Sequence, residues 1–257
     1  LRSLSIGTGA VVFDPTDATG QTIVVGTGRL SGYGRRGDDL DGLYYSTDGG
    51  ATWTTTTSPL LSAATITGVA ARGNTLLVAS EGGLYRTTTG LLGAWAQISG
   101  TGILPNARAS SIAADPTNIN RLYVTFTGAT GGIFRTDDLG ATWANVTNGI
   151  SVISSATDTF NAAVFTDGST NVISVVLNGT VGGATVNAIF RSVNGAAFEA
   201  LDVPTLSGSA WGNYQIVADR TNPNIAYVGG GYGVLLSNPF LPTVYRLDAS
   251  QLRGSQA

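Results

Sequence analysis

The densest run of chemistry-bearing side chains lies between Arg29 and Asp41. Three Arg, three Asp and one Tyr fall within thirteen residues there, in a 257-residue chain that is only 11% charged. Arg29, Arg35 and Arg36 carry planar guanidinium forks that suit carboxylates, and Tyr33 adds a ring that stacks on a sugar, so the run reads as an anion or sugar site. Asp38, Asp39 and Asp41 are hard oxygen donors of the kind Ca²⁺ takes, although their spacing does not match an EF-hand loop. With Glu81 they are also the carboxylates from which a hydrolytic pair would be drawn. Trp211 reads as a sugar-stacking platform or as a buried plug. The bland reading of the run is a solvated loop whose charges pair with one another.

Missing residue types narrow the chemistry further. The chain has no His, Cys, Met or Lys, so all thirteen basic residues are Arg. A Ser-His-Asp or Cys-His mechanism and a Cys-based zinc site are therefore excluded. Acid–base work is left to Asp, Tyr and the two Glu, Glu81 and Glu199. A net charge of −3 argues against nucleic acid as a partner. No run of roughly 18 apolar residues is present to form a membrane-spanning helix. Apart from Ca²⁺ at the Asp cluster, the residues suggest no cofactor. Lacking Met, the chain is expected to be a processed form or part of a larger polypeptide, which then becomes one of its partners.

The elements that position these side chains follow from a repeat. An aromatic–Arg pair recurs as Tyr85-Arg86, Phe134-Arg135, Phe190-Arg191 and Tyr245-Arg246, with Tyr44-Tyr45 at the matching place in the first unit. Two short apolar runs precede each pair, such as Ser111-Ile112-Ala113 and Leu122-Tyr123-Val124. Turns such as Asp14-Pro15-Thr16-Asp17 and Asp115-Pro116-Thr117-Asn118 separate them, and Asp, Pro and Asn there are tight-turn chemistry. Each unit thus predicts four antiparallel strands over about 40 to 55 residues, the period of a propeller blade. The expectation is an all-β, single-domain β-propeller with blades at about 10–57, 63–99, 108–147, 159–203 and 212–248. Residues 1–8 are expected to form an N-terminal strand, and in a closed ring Leu1 to Ser5 would serve as the fifth blade's missing outer strand. Two arrangements stay open: a closed five-bladed ring, and part of a larger propeller.

After the third strand, the first unit reads Ser46-Thr47-Asp48-Gly49-Gly50-Ala51-Thr52-Trp53 and the third reads Thr136-Asp137-Asp138-Leu139-Gly140-Ala141-Thr142-Trp143. Degenerate copies stand at Thr87-Thr88-Thr89-Gly90 with Trp95, and at Ser192-Val193-Asn194-Gly195 with Phe198. The Ser/Thr-x-Asp-x-Gly-x-x-Trp pattern resembles the Asp box, or bacterial neuraminidase repeat, of sialidases, xyloglucan-hydrolysing enzymes and sortilin-type receptors, and the likeness covers about residues 10 to 248. Asp accepts backbone N–H groups across such a turn, Gly supplies positive φ and Trp covers it. Ser46, Asp48, Gly50, Trp53, Thr136, Asp138, Gly140 and Trp143 are therefore expected to be scaffold.

What the resemblance implies for function divides two ways. The favoured reading is an exported non-catalytic module that binds a glycan or a protein, secreted or at a bacterial cell surface. Its ligand contacts are Arg29, Tyr33, Arg35, Arg36 and Trp211. The alternative is a xyloglucanase-like or sialidase-like glycoside hydrolase, with Asp38, Asp39, Asp41 and Glu81 as candidate carboxylates. The sialidase Arg-Ile-Pro type motif is absent, and Glu199 sits beside a degenerate box on the wrong face.

Overall fold

The computed structural model describes residues 8–28, 40–56, 58–150, 159–181, 184–204, 214–229 and 244–257. Among these residues every regular element is a strand. The first sheet holds β1 (Thr8–Phe13), β2 (Ile23–Thr27), β3 (Leu43–Ser46) and β4 (Thr54–Thr55). The second holds β5 (Ile66–Arg72), β6 (Thr75–Ser80), β7 (Gly83–Thr87) and β8 (Ala96–Gln97). In the third are β9 (Ala109–Ala114), β10 (Leu122–Phe126), β11 (Gly132–Thr136) and β12 (Ala144–Asn145). The fourth has β13 (Thr159–Thr166), β14 (Asn171–Val181), β15 (Ala184–Val193) and β16 (Glu199–Ala200). Three described strands complete the set: β17 (Gln215–Ala218), β18 (Ile225–Gly229) and β19 (Val244–Asp248). Each sheet is an antiparallel meander in chain order.

The aromatic–Arg repeat marks the third strand of each sheet, and its register is the same throughout. Tyr44, Tyr85, Phe134, Phe190 and Tyr245 lie directly opposite Val25, Val78, Val124, Val175 and Val228. Such aromatic–β-branched pairs are the stabilising unit of a sheet. On the opposite face, Leu43, Leu84, Ile133 and Ile189 are fully buried against the following sheet. The core is therefore a series of layers between sheets: one joins the first and second, another the third and fourth, and another the fourth and fifth. Phe126 and Phe134 meet edge to face at 5.5 Å and pack with Ala79 and Leu84 of the second sheet.

Radial arrangement shows in the first strands. Val11 of β1, Gly68 of β5, Ser111 of β9, Ala162 of β13 and Ile216 of β17 all line one central cavity of about 360 Å³. Strands converge toward this axis, and Gly68 reflects how closely: a Cβ there would stand 2.9 Å from the Ile112 backbone nitrogen. The five sheets are the blades of a β-propeller.

The first and last sheets differ from the inner ones. Val244 occupies the position of Leu43, Leu84, Ile133 and Ile189 yet is 70% exposed, and Val217 on the same face of the sheet is 61% exposed. Val11 and Phe13 on the far side of β1 are likewise exposed. A direct closure of the ring would bring these two faces together, and no hydrogen bond joins them among the described residues. The expected N-terminal strand, residues 1–7 above all, lies outside the described residues.

The layers make a sharp contrast between equivalent apolar side chains. Phe134→Ala should lose about 3–5 kcal/mol of unfolding free energy, whereas Val244→Ala should change it by about 0.5 kcal/mol or less. Denaturant titration of both variants measures this.

Candidate functional site

The strand order gives the propeller two distinct rims. One carries the β1–β2 and β3–β4 types of turn; the other carries the β2–β3 type of connection and the links between sheets. The central cavity opens among the starts of the first strands, on the second of these rims.

Its wall is built by a bulge. In β5 and β9 one extra residue, Thr67 or Ser110, interrupts the register with the second strand. A bulge re-aims the extra side chain, and here the hydroxyls turn toward the next sheet. Thr67 Oγ1 donates to the Ala109 carbonyl at 2.6 Å, and Ser110 Oγ to the Phe160 carbonyl at 2.6 Å. In the fourth sheet, Asn161 Nδ2 donates to the Tyr214 carbonyl at 2.6 Å. These three bonds form a belt from the second sheet to the fifth around the channel. Ser111 Oγ and Thr125 Oγ1 lie 2.7 Å apart behind it, and Thr125 also donates to Phe160. Sequence reading passed over the belt because Thr67, Ser110 and Asn161 belong to no motif.

Arg108 and Gln215 complete the polar wall. Among the described residues lining this cavity there is one guanidinium, several hydroxyls and amides, and no carboxylate. The arrangement can hold a ligand rich in hydroxyl or carbonyl groups. It lacks, among those residues, the acid and base that hydrolysis of a glycosidic bond needs.

Of the residues singled out by type, Arg29, Tyr33, Arg35, Arg36, Asp38, Asp39 and Trp211 lie outside the described residues. Asp41 precedes β3 and accepts a 2.6 Å hydrogen bond from the Tyr44 hydroxyl. Glu81 is exposed in the β6–β7 turn, where its backbone N–H bonds Thr65. Glu199 is on β16, 3.5 Å from Arg191. No hydrogen bond joins Asp41 to Glu81.

The other rim is ordered by carboxylates. Asp48 accepts from the Thr52 hydroxyl, the Thr52 N–H at 2.9 Å and the Ser46 hydroxyl at 2.8 Å, while Ser46 Oγ takes the Gly50 N–H at 2.8 Å. Asp138 repeats this set with Thr142 and Thr136, and Thr136 takes the Gly140 N–H. Both glycines have positive φ, 94° and 84°. The two indoles part company. Trp143 packs between the second and third sheets, whereas Trp53, with no described sheet before it, is 43% exposed.

A second role of acidic turns was not read from the sequence. Asp14 and Asp115 are buried, and each divides its two oxygens. Oδ1 takes the N–H of Thr16 or Thr117 within the turn. Oδ2 reaches the next sheet, to the Gly73 N–H at 2.6 Å or the Asn171 side chain at 3.2 Å. An Asp-Pro-Thr turn announces only its local bonds; the second oxygen's partner depends on how sheets stack.

Hydrogen bonds set the ionisation of these acids. Those from the Thr52 hydroxyl, the Thr52 N–H and the Ser46 hydroxyl lower Asp48 to about 2. At Asp138 burial opposes ionisation, but the Thr142 and Thr136 bonds outweigh it and bring the value to about 2. Asp17 and Asp219 are lowered by the same kind of turn bonds.

A family model, the DUF6242 beta propeller domain, matches residues 8–228. The chain belongs to this family. None of the curated proteins matches it. Among solved structures, this DUF6242 propeller is similar to a Niastella koreensis GH74 enzyme, at 18% identity and a TM-score of 0.64, over 95% of this chain and 37% of that one. It is similar to the extracellular domain of a putative one component system, BT4673, from B. thetaiotaomicron, at 13% identity and a TM-score of 0.55. That match covers 97% of this chain and 27% of the other. YCF48 from Cyanidioschyzon merolae matches at 14% identity and a TM-score of 0.54, over 96% and 74% of the two chains. At these identities the likeness is one of fold. The chain spans little more than a third of the GH74 enzyme and about a quarter of BT4673.

The lowered carboxylates give the DUF6242 propeller a defined acid response. A group with a depressed folded-state value stabilises the fold above its unfolded value and loses that contribution as pH falls through the folded one. Stability should therefore drop between about pH 4 and pH 2. Thermal melts across that range check this, and Asp138→Asn should be less stable at pH 7 and show a shallower drop.

Proposed function

We propose that this DUF6242 propeller is an exported, non-catalytic binding module that holds a glycan or protein ligand at the mouth of its central channel. The observation that supports the reading is the chemistry of the wall. Arg108 and Gln215 offer donors, while Gln215, Asn161 and the serine and threonine hydroxyls, whose protons serve the belt, offer acceptors, with no carboxylate among the described residues there. Polar groups of fixed direction in a concave site orient a ligand. Arg29, Tyr33, Arg35, Arg36 and Trp211 are proposed as further contacts, since the connections that carry them leave β2 and enter β17 on the same rim.

The turns at Ser46–Trp53 and Thr136–Trp143 are proposed to be Asp boxes. Their matching hydrogen-bond sets and positive-φ glycines support that reading and a scaffold role for the motif.

A glycan array run beside a panel of glycosidase substrates tests the proposal. Binding without turnover is expected, and Arg108→Ala or Gln215→Ala should weaken it roughly tenfold, the size of one lost charged or polar contact. Hydrolysis of any substrate by the purified chain, abolished by changing Asp38, Asp39 or Asp41, would overturn it in favour of a glycoside hydrolase.

A further inference from the structure

One joint between sheets is built differently from its neighbours, on the rim opposite the channel mouth. At the joint between the second and third sheets, the third sheet's turn leans onto the sheet before it. Arg86 Nε donates to the Leu139 carbonyl at 2.8 Å, and a Cβ on Gly140 would stand 2.8 Å from Leu77. Leu139 and Trp143 fill the space against Leu77 and Leu122. At the joint between the fourth and fifth sheets, Arg191 is likewise engaged, donating to Asn224 Oδ1 at 2.8 Å.

Between the third and fourth sheets the aromatic part of this plug stays, as Phe198 buried with Ala113, Tyr123 and Ile133, but among the described residues no side chain or carbonyl stands in for those of Leu139. The N–H groups of Leu139 and Asn194 bond the Asn120 and Asn171 carbonyls, which makes the two residues structural equivalents. Asn194 comes four residues after Phe190, where Leu139 comes five after Phe134. Asn194 and Gly195 have φ of 51° and 78°, and the Ala196 N–H bonds the Val193 carbonyl at 3.0 Å. That is a two-residue type I′ turn, for which Asn-Gly is the preferred pair. Behind it the Phe198 N–H bonds the Asn148 carbonyl at 2.8 Å, but the shorter Asn194-Gly195 tip stays clear of its surroundings, and a Cβ on Gly195 would meet nothing within 4 Å.

What remains is a crevice of about 390 Å³ with Tyr123 and Ile173 at its base and Asn148, Asn194 and Arg135 at its sides. Arg135 is the counterpart of Arg86, but among the described residues no carbonyl meets it. Its Nε faces Asp137 Oδ2 at 3.0 Å as an ion pair without hydrogen-bond alignment, and the side chain is 35% exposed. Arg121 and Arg135 are balanced by Asp115 and Asp137, so the crevice has no excess charge to attract an anion. A neutral carbonyl is the acceptor it suits.

We propose that this crevice binds a short peptide segment, whose main-chain carbonyl accepts from Arg135 and whose apolar side chain lies against Tyr123 and Ile173. The turn at the neighbouring joint supports a peptide over a sugar, because there a backbone carbonyl and a leucine occupy the corresponding space. The site is separate from the channel mouth, so either can fail without the other.

Random heptapeptides displayed on phage, panned on the intact chain, test the proposal. Counter-selection uses a variant in which residues 192–198 are replaced by the eight-residue sequence of 136–143, which should fill the crevice. Enriched sequences, made as synthetic peptides, are expected to shift the amide resonances of Asn148, Asn194 and Gly195. Arg135→Gln should weaken them at least roughly tenfold with little change in Tm. Arg86→Gln should leave peptide binding intact but lower Tm. The proposal is overturned if no peptide is enriched, or if the shifts fall at Arg108 and Gln215. It is equally overturned if a folded Arg135→Gln or turn-replacement variant binds as well as the parent, or if cello-oligosaccharides occupy the crevice where peptides do not.

Discussion

Packing of one sheet's aromatic–valine face on the next is the contact on which everything else in this propeller rests. A sheet of four strands, the outermost two residues long, has no interior of its own. Its apolar faces become a core only when another sheet covers them. Val78, Val124, Val175 and Val228 are fully buried for this reason, while Val25, the same position on the first sheet, is only partly covered. Identical chemistry thus has different energetic weight according to whether a neighbour is present.

Polar groups then decide how the layers are held in register. With so few charges, the chain relies on side chains that satisfy backbone groups. On the channel rim, Thr67, Ser110 and Asn161 hand a hydrogen bond from sheet to sheet; on the turn rim, Asp14 and Asp115 do so with one oxygen while capping their own turns with the other. Buried backbone carbonyls and N–H groups at strand ends would otherwise be left unpaired, which is costly. The same economy leaves the channel mouth lined by hydroxyls and amides, suited to holding a ligand. It also makes the joint between third and fourth sheets stand out, since a guanidinium that is engaged at two other joints there lacks its carbonyl.

Much of this was legible in the residues. Tyr/Phe-Arg pairs located the third strand of four sheets and Tyr44-Tyr45 that of the first, Asp-Pro turns separated first from second strands in two of the sheets, and Ser46–Trp53 and Thr136–Trp143 form the hydrogen bonds their spacing implies. Legibility ended where a property belongs to two sheets at once. The sequence does not say that Asp115 Oδ2 will face Asn171, or that Thr67 sits on a bulge. Trp53 and Trp143 have equal motifs and unequal burial. The one-residue shortening at Asn194-Gly195 reads as decay of a motif, and only the stacking of sheets turns it into a crevice. Asp41 and Glu81, selected by type alone, are held by their own local bonds, to the Tyr44 hydroxyl and the Thr65 carbonyl.

Native-state hydrogen exchange measures the sheet-on-sheet dependence most directly. If stability resides between sheets, amides of β6, β10 and β14 should exchange together with the highest protection, through one cooperative opening. Those of β1 and β19, at the uncovered faces, should exchange through smaller openings. Equal protection in β1, β10 and β19, or separate opening of the second, third and fourth sheets, would contradict it.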